Sequence, residues 1–189
     1  EDWLKKLNLP PNHPSLKYDA AFKAQLASGG VVMAANLGVD GQQKIKVTLP
    51  IQSYFSSLPR RAFDVGLVNF YTDADGVVRR YMPAVSDGYG QVMLTLAKLL
   101  ATRATGQDPA GEIERLKRDP ALKDWSVDNP SAVKLGAFPL IGYVGPPDTF
   151  PRLSFRRFLR PEAETDPEIR NLKDKVVIIA YEPAALQDV

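Results

Sequence analysis

Apolar residues change their spacing several times along the chain, and each change marks a new element. Residues 1–14 are charged and proline-bearing, and "LPPNHP" reads as an extended linker. Asp19 then stands where a helix cap is expected. The stretch "AAFKAQLA" after it sets Ala21, Phe22 and Leu26 near one face, and "SGG" at residues 28–30 ends that helix. The continuous run "VVMAA" from Val31 reads as a buried strand. "VDGQQKIKVTLP" supplies an Asp-Gly turn followed by alternation at Ile45, Val47 and Leu49, and "IQSYFSSLPRRAFD" is irregular or briefly helical.

"VGLVNFY" and "VVRRYMPAV" are two strand candidates separated by "TDADG", a spacing that predicts an antiparallel hairpin. Between Gly90 and Gly106, Val92, Leu96, Leu99 and Leu100 recur at helical spacing, so a helix is expected to end at Gly106. Residues 107–134 are charged, carry Pro109, Pro120 and Pro130, and read as a surface excursion with one amphipathic piece, "GEIERLKRD", and Trp125 as its anchor. Farther on, "FPLIGYVG" predicts a strand, "FPRLSFRRFL" a short helix, "RPEAETDPEIRNLKDK" a polar loop, and "VVIIAYEP" a strand buried on both faces. Strands alternating with helices predict an α/β fold, a mixed sheet with an antiparallel hairpin covered by helices. The expected organisation is a linker over 1–14 and a single domain over 15–189.

Composition narrows the function more than it alters this picture. With 189 residues and 44% hydrophobic content the chain is large enough for a core. Lys plus Arg number 24 against 22 Asp plus Glu, and a net charge of +2 gives no field that would favour nucleic acid as a partner. The absence of cysteine removes disulfides, thiolate metal sites and a cysteine nucleophile. The longest apolar runs fall short of the ~20 residues of a membrane-spanning helix. The start at Glu1 is read as the start of a piece from a longer chain.

The acidic turn in "NFYTDADGVVRR" invites three readings. As a calcium loop with Gly76 at its glycine position, Asp73 and Asp75 fit, but Tyr71 stands at the first ligand and Met82 at the closing glutamate, so the pattern fails. A catalytic carboxylate pair is conceivable, yet acids two apart in a turn usually accept backbone N–H bonds; His13, the one histidine, lies in the linker, and no G-x-S-x-G elbow offers it a serine to activate. As a structural turn, Asp73, Asp75 and Gly76 supply the usual chemistry, with Arg79 or Arg80 pairing an acid and Asn69 able to join. Ser154 reads as a helix cap or turn residue. Neither a metal site nor a phosphate-binding glycine loop is present as a motif, and no cofactor is expected.

Three segments carry a family resemblance: "GLVNFYTDADGVVRRYMPAV" with the apolar "QVMLTLAKLL" after it, "FPLIGYVGPPDTFPRLSFRRFL", and "LKDKVVIIAYEPAALQD". Together they are similar to the second type of CHASE domain, the sensory extracellular domain associated with cyclases and histidine kinases. Gly142, Val144 and Ala180 depart from the asparagine, arginine and glycine common in that family. The family's usual opening segment is missing before Glu1, which implies an incomplete part of a larger domain.

The resemblance implies an extracytoplasmic, non-enzymatic sensor domain of a bacterial transmembrane receptor. Its implied partners are a small-molecule or other external cue, its own membrane helices and a cytoplasmic kinase, cyclase or similar output domain, with a homodimer allowed. Polar residues at strand ends, where α/β folds commonly bind ligands, give Asn69, Asp75, Arg80, Tyr143 and Asp188 as ligand-site candidates. Two other readings stay open: a hydrolase-like or transferase-like enzyme using Asp73, Asp75 or Asp188, and a protein-binding adaptor. The receptor reading predicts a run of ~20 apolar residues soon after Val189 in the complete reading frame, with Lys or Arg on its cytoplasmic side. The full-length sequence checks this, and a stop codon or continuous soluble domain there removes the receptor reading.

Overall fold

A computed structural model of the chain describes residues 19–39, 45–70, 72–86, 92–119, 138–146 and 149–180. The chain divides into two compact units, Glu1–Ile141 and Gly142–Val189. In the first, α1 (Ala20–Ala27) leads to β1 (Met33–Val39), which pairs antiparallel with β2 (Ile45–Thr48) and parallel with β3 (Val65–Leu67). The strand order is β2-β1-β3, with the helical turn α2 (Gln52–Phe55) and a 3-10 turn (Arg61–Asp64) between β2 and β3. β4 (Ala84–Ser86) and β5 (Val92–Leu94) form a second antiparallel pair, joined to β3 by a parallel bridge between Leu67 and Thr95. The helices α3 (Leu96–Ala104) and α4 (Pro109–Lys117) follow. The architecture is the mixed α/β arrangement that the sequence predicts.

Alternation along the strands divides the core. Val65 and Leu67 are 1% exposed and join Leu26, Ala35, Leu58 and Val85 in one cluster. On β4 and β5 the positions alternating with Val85 and Met93 face the opposite way: Ala84, Leu94 and Val92 pack with Leu99 of α3, and with Leu116 and Ile113 of α4, in a second cluster. The sheet is thus covered by α1 and α2 on one side and by α3 and α4 on the other. Gly66, between Val65 and Leu67, faces α3. A Cβ built there would lie 2.5 Å from Leu96 Cα and 2.9 Å from Leu96 N, so the absence of a side chain is what lets the first residue of α3 approach the strand.

Several expectations change at element boundaries. Among the described residues, "VGLVNFY" and "VVRRYMPAV" do not pair with each other. Val65–Leu67 pairs with β1, Val68 N–H continues to the Ala35 carbonyl, and the Arg79–Tyr81 segment bonds to residues 139–141. An Asp-Gly turn reverses the chain locally; side-chain packing decides what the flanking strands pair with. The segment expected to be helical from Gly90 begins instead as β5. Thr95 has extended backbone, its Oγ1 donates to the Met82 carbonyl at 2.7 Å, and the helix starts only at Leu96. Short apolar runs satisfy both periodicities, and β-branched Val92 favours the strand.

"FPLIGYVG" is reduced to a single bridge, Leu140 with Arg80. The supposed polar loop contains a 3-10 turn, Pro161–Thr165, and the short helix α5 (Pro167–Arg170), because Asp166 caps it and Pro167 occupies its first turn. Of the expected "VVIIAYEP" strand, the described residues 176–180 form no strand, and Val176, Val177, Ile178 and Ile179 are 46–78% exposed. Within 107–134, Pro109–Lys117 is helical with Leu116 buried, while Trp125 and the rest of 120–134 lie outside the described residues, as do the linker and His13.

The expected cost of Gly66→Ala follows from the close approach of α3. The substitution should destabilise the protein by roughly 1–3 kcal/mol in urea unfolding, since backbone rather than a mobile side chain blocks the new methyl. An unchanged midpoint would show that α3 does not sit on β3 as described.

Candidate functional site

The acidic turn is built from its backbone outward. Gly76 N–H donates to the Asp73 carbonyl at 2.8 Å and Asp73 N–H to the Val77 carbonyl at 2.9 Å, closing a tight turn in which Gly76 has φ +81°. That value lies in the region glycine occupies without strain. Asp75 Oδ1 accepts the Val77 N–H at 3.2 Å and receives Arg79 Nη1 at 2.7 Å, while its Oδ2 receives Arg79 Nη2 at 2.7 Å. This two-pronged contact holds the Asp75 carboxyl down at about 2, with the Val77 amide as a second cause. Arg79 also reaches Asp73 at 3.3 Å, and its own pKa is raised by both acids. Arg80 points elsewhere: it donates to the Phe138 carbonyl at 3.2 Å and its Nε lies 3.9 Å from Asp73.

The five ligand-site candidates are therefore only partly connected. Asp75 and Arg80 belong to one network through Arg79 and Asp73. Asn69 stays outside that network. Its Oδ1 accepts the Leu37 N–H at 2.6 Å and its Nδ2 donates to the Leu37 carbonyl at 3.0 Å, so the amide is engaged with β1. Tyr143 belongs to the second unit and is exposed; Asp188 lies outside the described residues. The salt bridge expected between the turn acids and an arginine is present, through Arg79.

Two polar clusters have no counterpart in the sequence reading. Asp64 is fully buried; its Oδ2 accepts the Arg60 N–H at 2.9 Å and its Oδ1 accepts Arg103 Nη1 at 2.7 Å, while Arg103 Nη2 donates to the Gly29 carbonyl. Glu112, 8% exposed, pairs with Lys98 at 2.7 Å and accepts Arg115 Nε and Nη2 at 2.9 and 2.7 Å. Arg115, then Lys98, hold its carboxyl at about 2 against the opposing effect of burial. With Gln107, Asp108 and Gly111 these residues line an open depression of about 460 Å³. Asp108-Pro109 is a sequence signal for this region beside the amphipathic "GEIERLKRD": the Asp108 side chain accepts the Gly111 N–H and starts α4.

Chemically, the described carboxylates of these clusters are engaged by arginine or lysine. Such pairing suits scaffolding better than proton transfer. Among the described residues no group of His, Asp or Glu could hold a metal ion, and no helix is long and apolar enough to cross a membrane.

Glu112 makes a pH test possible. Its folded-state pKa is depressed from its ordinary 4.5 to about 2, so its stabilisation is complete above pH 4.5 and disappears as the pH falls to about 2. Glu112→Gln should lower stability at pH 7 by on the order of 1 kcal/mol and bring the two proteins closer together as the pH falls toward 2. Urea unfolding across that range measures it; an identical pH slope for both proteins would exclude the paired carboxylate.

The family model described as the CHASE2 domain matches residues 5–189 of the chain. No curated protein and no solved structure matches it.

Proposed function

The chain belongs to the CHASE2 domain family, a family of sensory extracellular domains of receptors, and from that premise we propose that it is the extracytoplasmic input domain of a bacterial transmembrane receptor. The match over residues 5–189 carries this reading. The domain itself performs no chemistry. It receives a small-molecule or other external cue and passes a conformational change through membrane helices to a histidine kinase, nucleotide cyclase or similar output domain. A cue can do this only if it binds the two receptor states with different affinity.

Asn69, Asp75, Arg80, Tyr143 and Asp188 are the proposed ligand-binding residues. Within that set the bonds of Asn69 and Asp75 support a positioning role, Asn69 on β1 and Asp75 on Arg79. Among the described residues the Arg80 guanidinium makes one carbonyl bond and a long approach to Asp73, which leaves it donors there for an acidic or carbonyl-bearing ligand. The scaffold reading of the turn also argues against the enzyme alternative, since Asp73 and Asp75 are held by Arg79.

A topology experiment on the complete protein tests the proposal. Alkaline phosphatase, which is active only outside the cytoplasm, is inserted between residues 120 and 137. It should be active in cells, and the isolated chain should leave ester, phosphate and glycoside substrates at background. An inactive phosphatase insertion together with an active cytoplasmic reporter at the same point overturns the placement. Turnover abolished by Asp75→Asn in a folded variant moves the enzyme reading first.

A further inference from the structure

We propose that the segment Phe150–Arg160 is a docking surface for an anionic lipid bilayer. The sequence "FPRLSFRRFLR" interleaves four arginines with large apolar residues and contains no acid. Soluble domains ordinarily bury such apolar side chains, yet Phe150 is 70% exposed, Phe155 58%, Phe158 37% and Leu159 73%. Residues Phe155–Leu159 form a 3-10 turn. At three residues per turn, side chains at i and i+3 eclipse, and Phe155 and Phe158 stack with ring centroids 6.0 Å apart and planes 27° off parallel.

The same threefold repeat sorts the turn into three faces. One carries Phe155 and Phe158, a second Arg156 and Leu159, and the third Arg157, while Arg160 follows the turn in extended backbone. Arg157 anchors the turn to the rest of its unit: Nη2 lies 2.7 Å from Asp166 Oδ2, Nε 3.0 Å from the same oxygen, and Nη1 donates to Glu168. Arg156 and Arg160 are exposed and form no ion pair among the described residues. With Asp166 and Glu168 engaged by Arg157, Glu162 and Glu164 remain as the next acids along the chain.

Phenylalanine rings at acyl-chain depth with arginines at the headgroup level match an anionic membrane surface in both polarity and sign of charge. A nucleic acid would meet the same arginines, but Phe155 and Phe158 already stack on each other and Leu159 offers no ring for a base. The proposal rests on this segment alone and is independent of which cue or output domain the receptor uses.

Sedimentation of the 189-residue chain with vesicles decides it. Equal parts of phosphatidylglycerol and phosphatidylcholine should retain the protein at least about tenfold better than phosphatidylcholine alone, and added salt should reduce that retention. Arg156→Gln with Arg160→Gln should remove most of the preference, and Phe155→Ser with Leu159→Ser should lower retention on both vesicles. If the second variant misfolds by circular dichroism, the arginine variant, which breaks no described ion pair, decides alone. Equal retention on both vesicle types, no retention at low salt, variants that bind like the parent, or binding to polyuridylate without binding to vesicles would each overturn the proposal. So would a self-association that the variants abolish while vesicles bind nothing.

Discussion

A carboxylate with no access to water has to be met by a positive partner, because an isolated buried charge is far too costly to retain. Asp64 is in that position, and the partner that meets it, Arg103, comes from the last turn of α3 and also reaches the Gly29 carbonyl after α1. The pair therefore ties three segments that are distant in sequence. Asp64 immediately precedes β3, so the contact also fixes where β3 enters the sheet. From there the rest follows sterically: α3 begins against Gly66 in the middle of that strand and is held near its other end by Arg103. A helix fixed at both ends positions Leu99 in the second core cluster and presents Lys98 to Glu112 of α4.

What the amino-acid pattern conveyed well was governed by near neighbours. The helix Ala20–Ala27, the strand over Ile45–Thr48, the end of α3 before Gly106 and the tight turn at Gly76 are each set by a few adjacent residues. The family likeness, carried by three ordered segments, agrees with the match over residues 5–189. What it conveyed poorly was pairing. Val65–Leu67 finds β1 rather than the segment after the turn, and no local property of "VGLVNFY" distinguishes these partners. The apolar run from Val92 satisfied a helical spacing by coincidence, and the competing claim of Thr95 on the Met82 carbonyl is visible only in three dimensions.

The polar sites divide along the same line. Asp75 and Arg79 are four residues apart, so their ion pair could be anticipated from the turn itself. The Arg80 bond to the Phe138 carbonyl spans 58 residues and the Asp64–Arg103 pair 39, and neither leaves a trace in residue spacing. Asp166 was legible in principle: an acid before Pro167 is a helix-start signal, and it was outweighed by the polar composition around it.

Asn69 carries a consequence for how the sheet ends. β3 stops at Leu67, and after the Val68 bond to Ala35 the next rung on that side of β1 is made by a side chain, the Asn69 amide satisfying both the N–H and the carbonyl of Leu37. The other side of Leu37 faces Val47 of β2. An amide that imitates a strand's backbone gives the same hydrogen bonds without presenting a further strand for another chain to extend. Where β3 departs, β1 is thereby closed to the intermolecular pairing that makes exposed strand borders a starting point for aggregation.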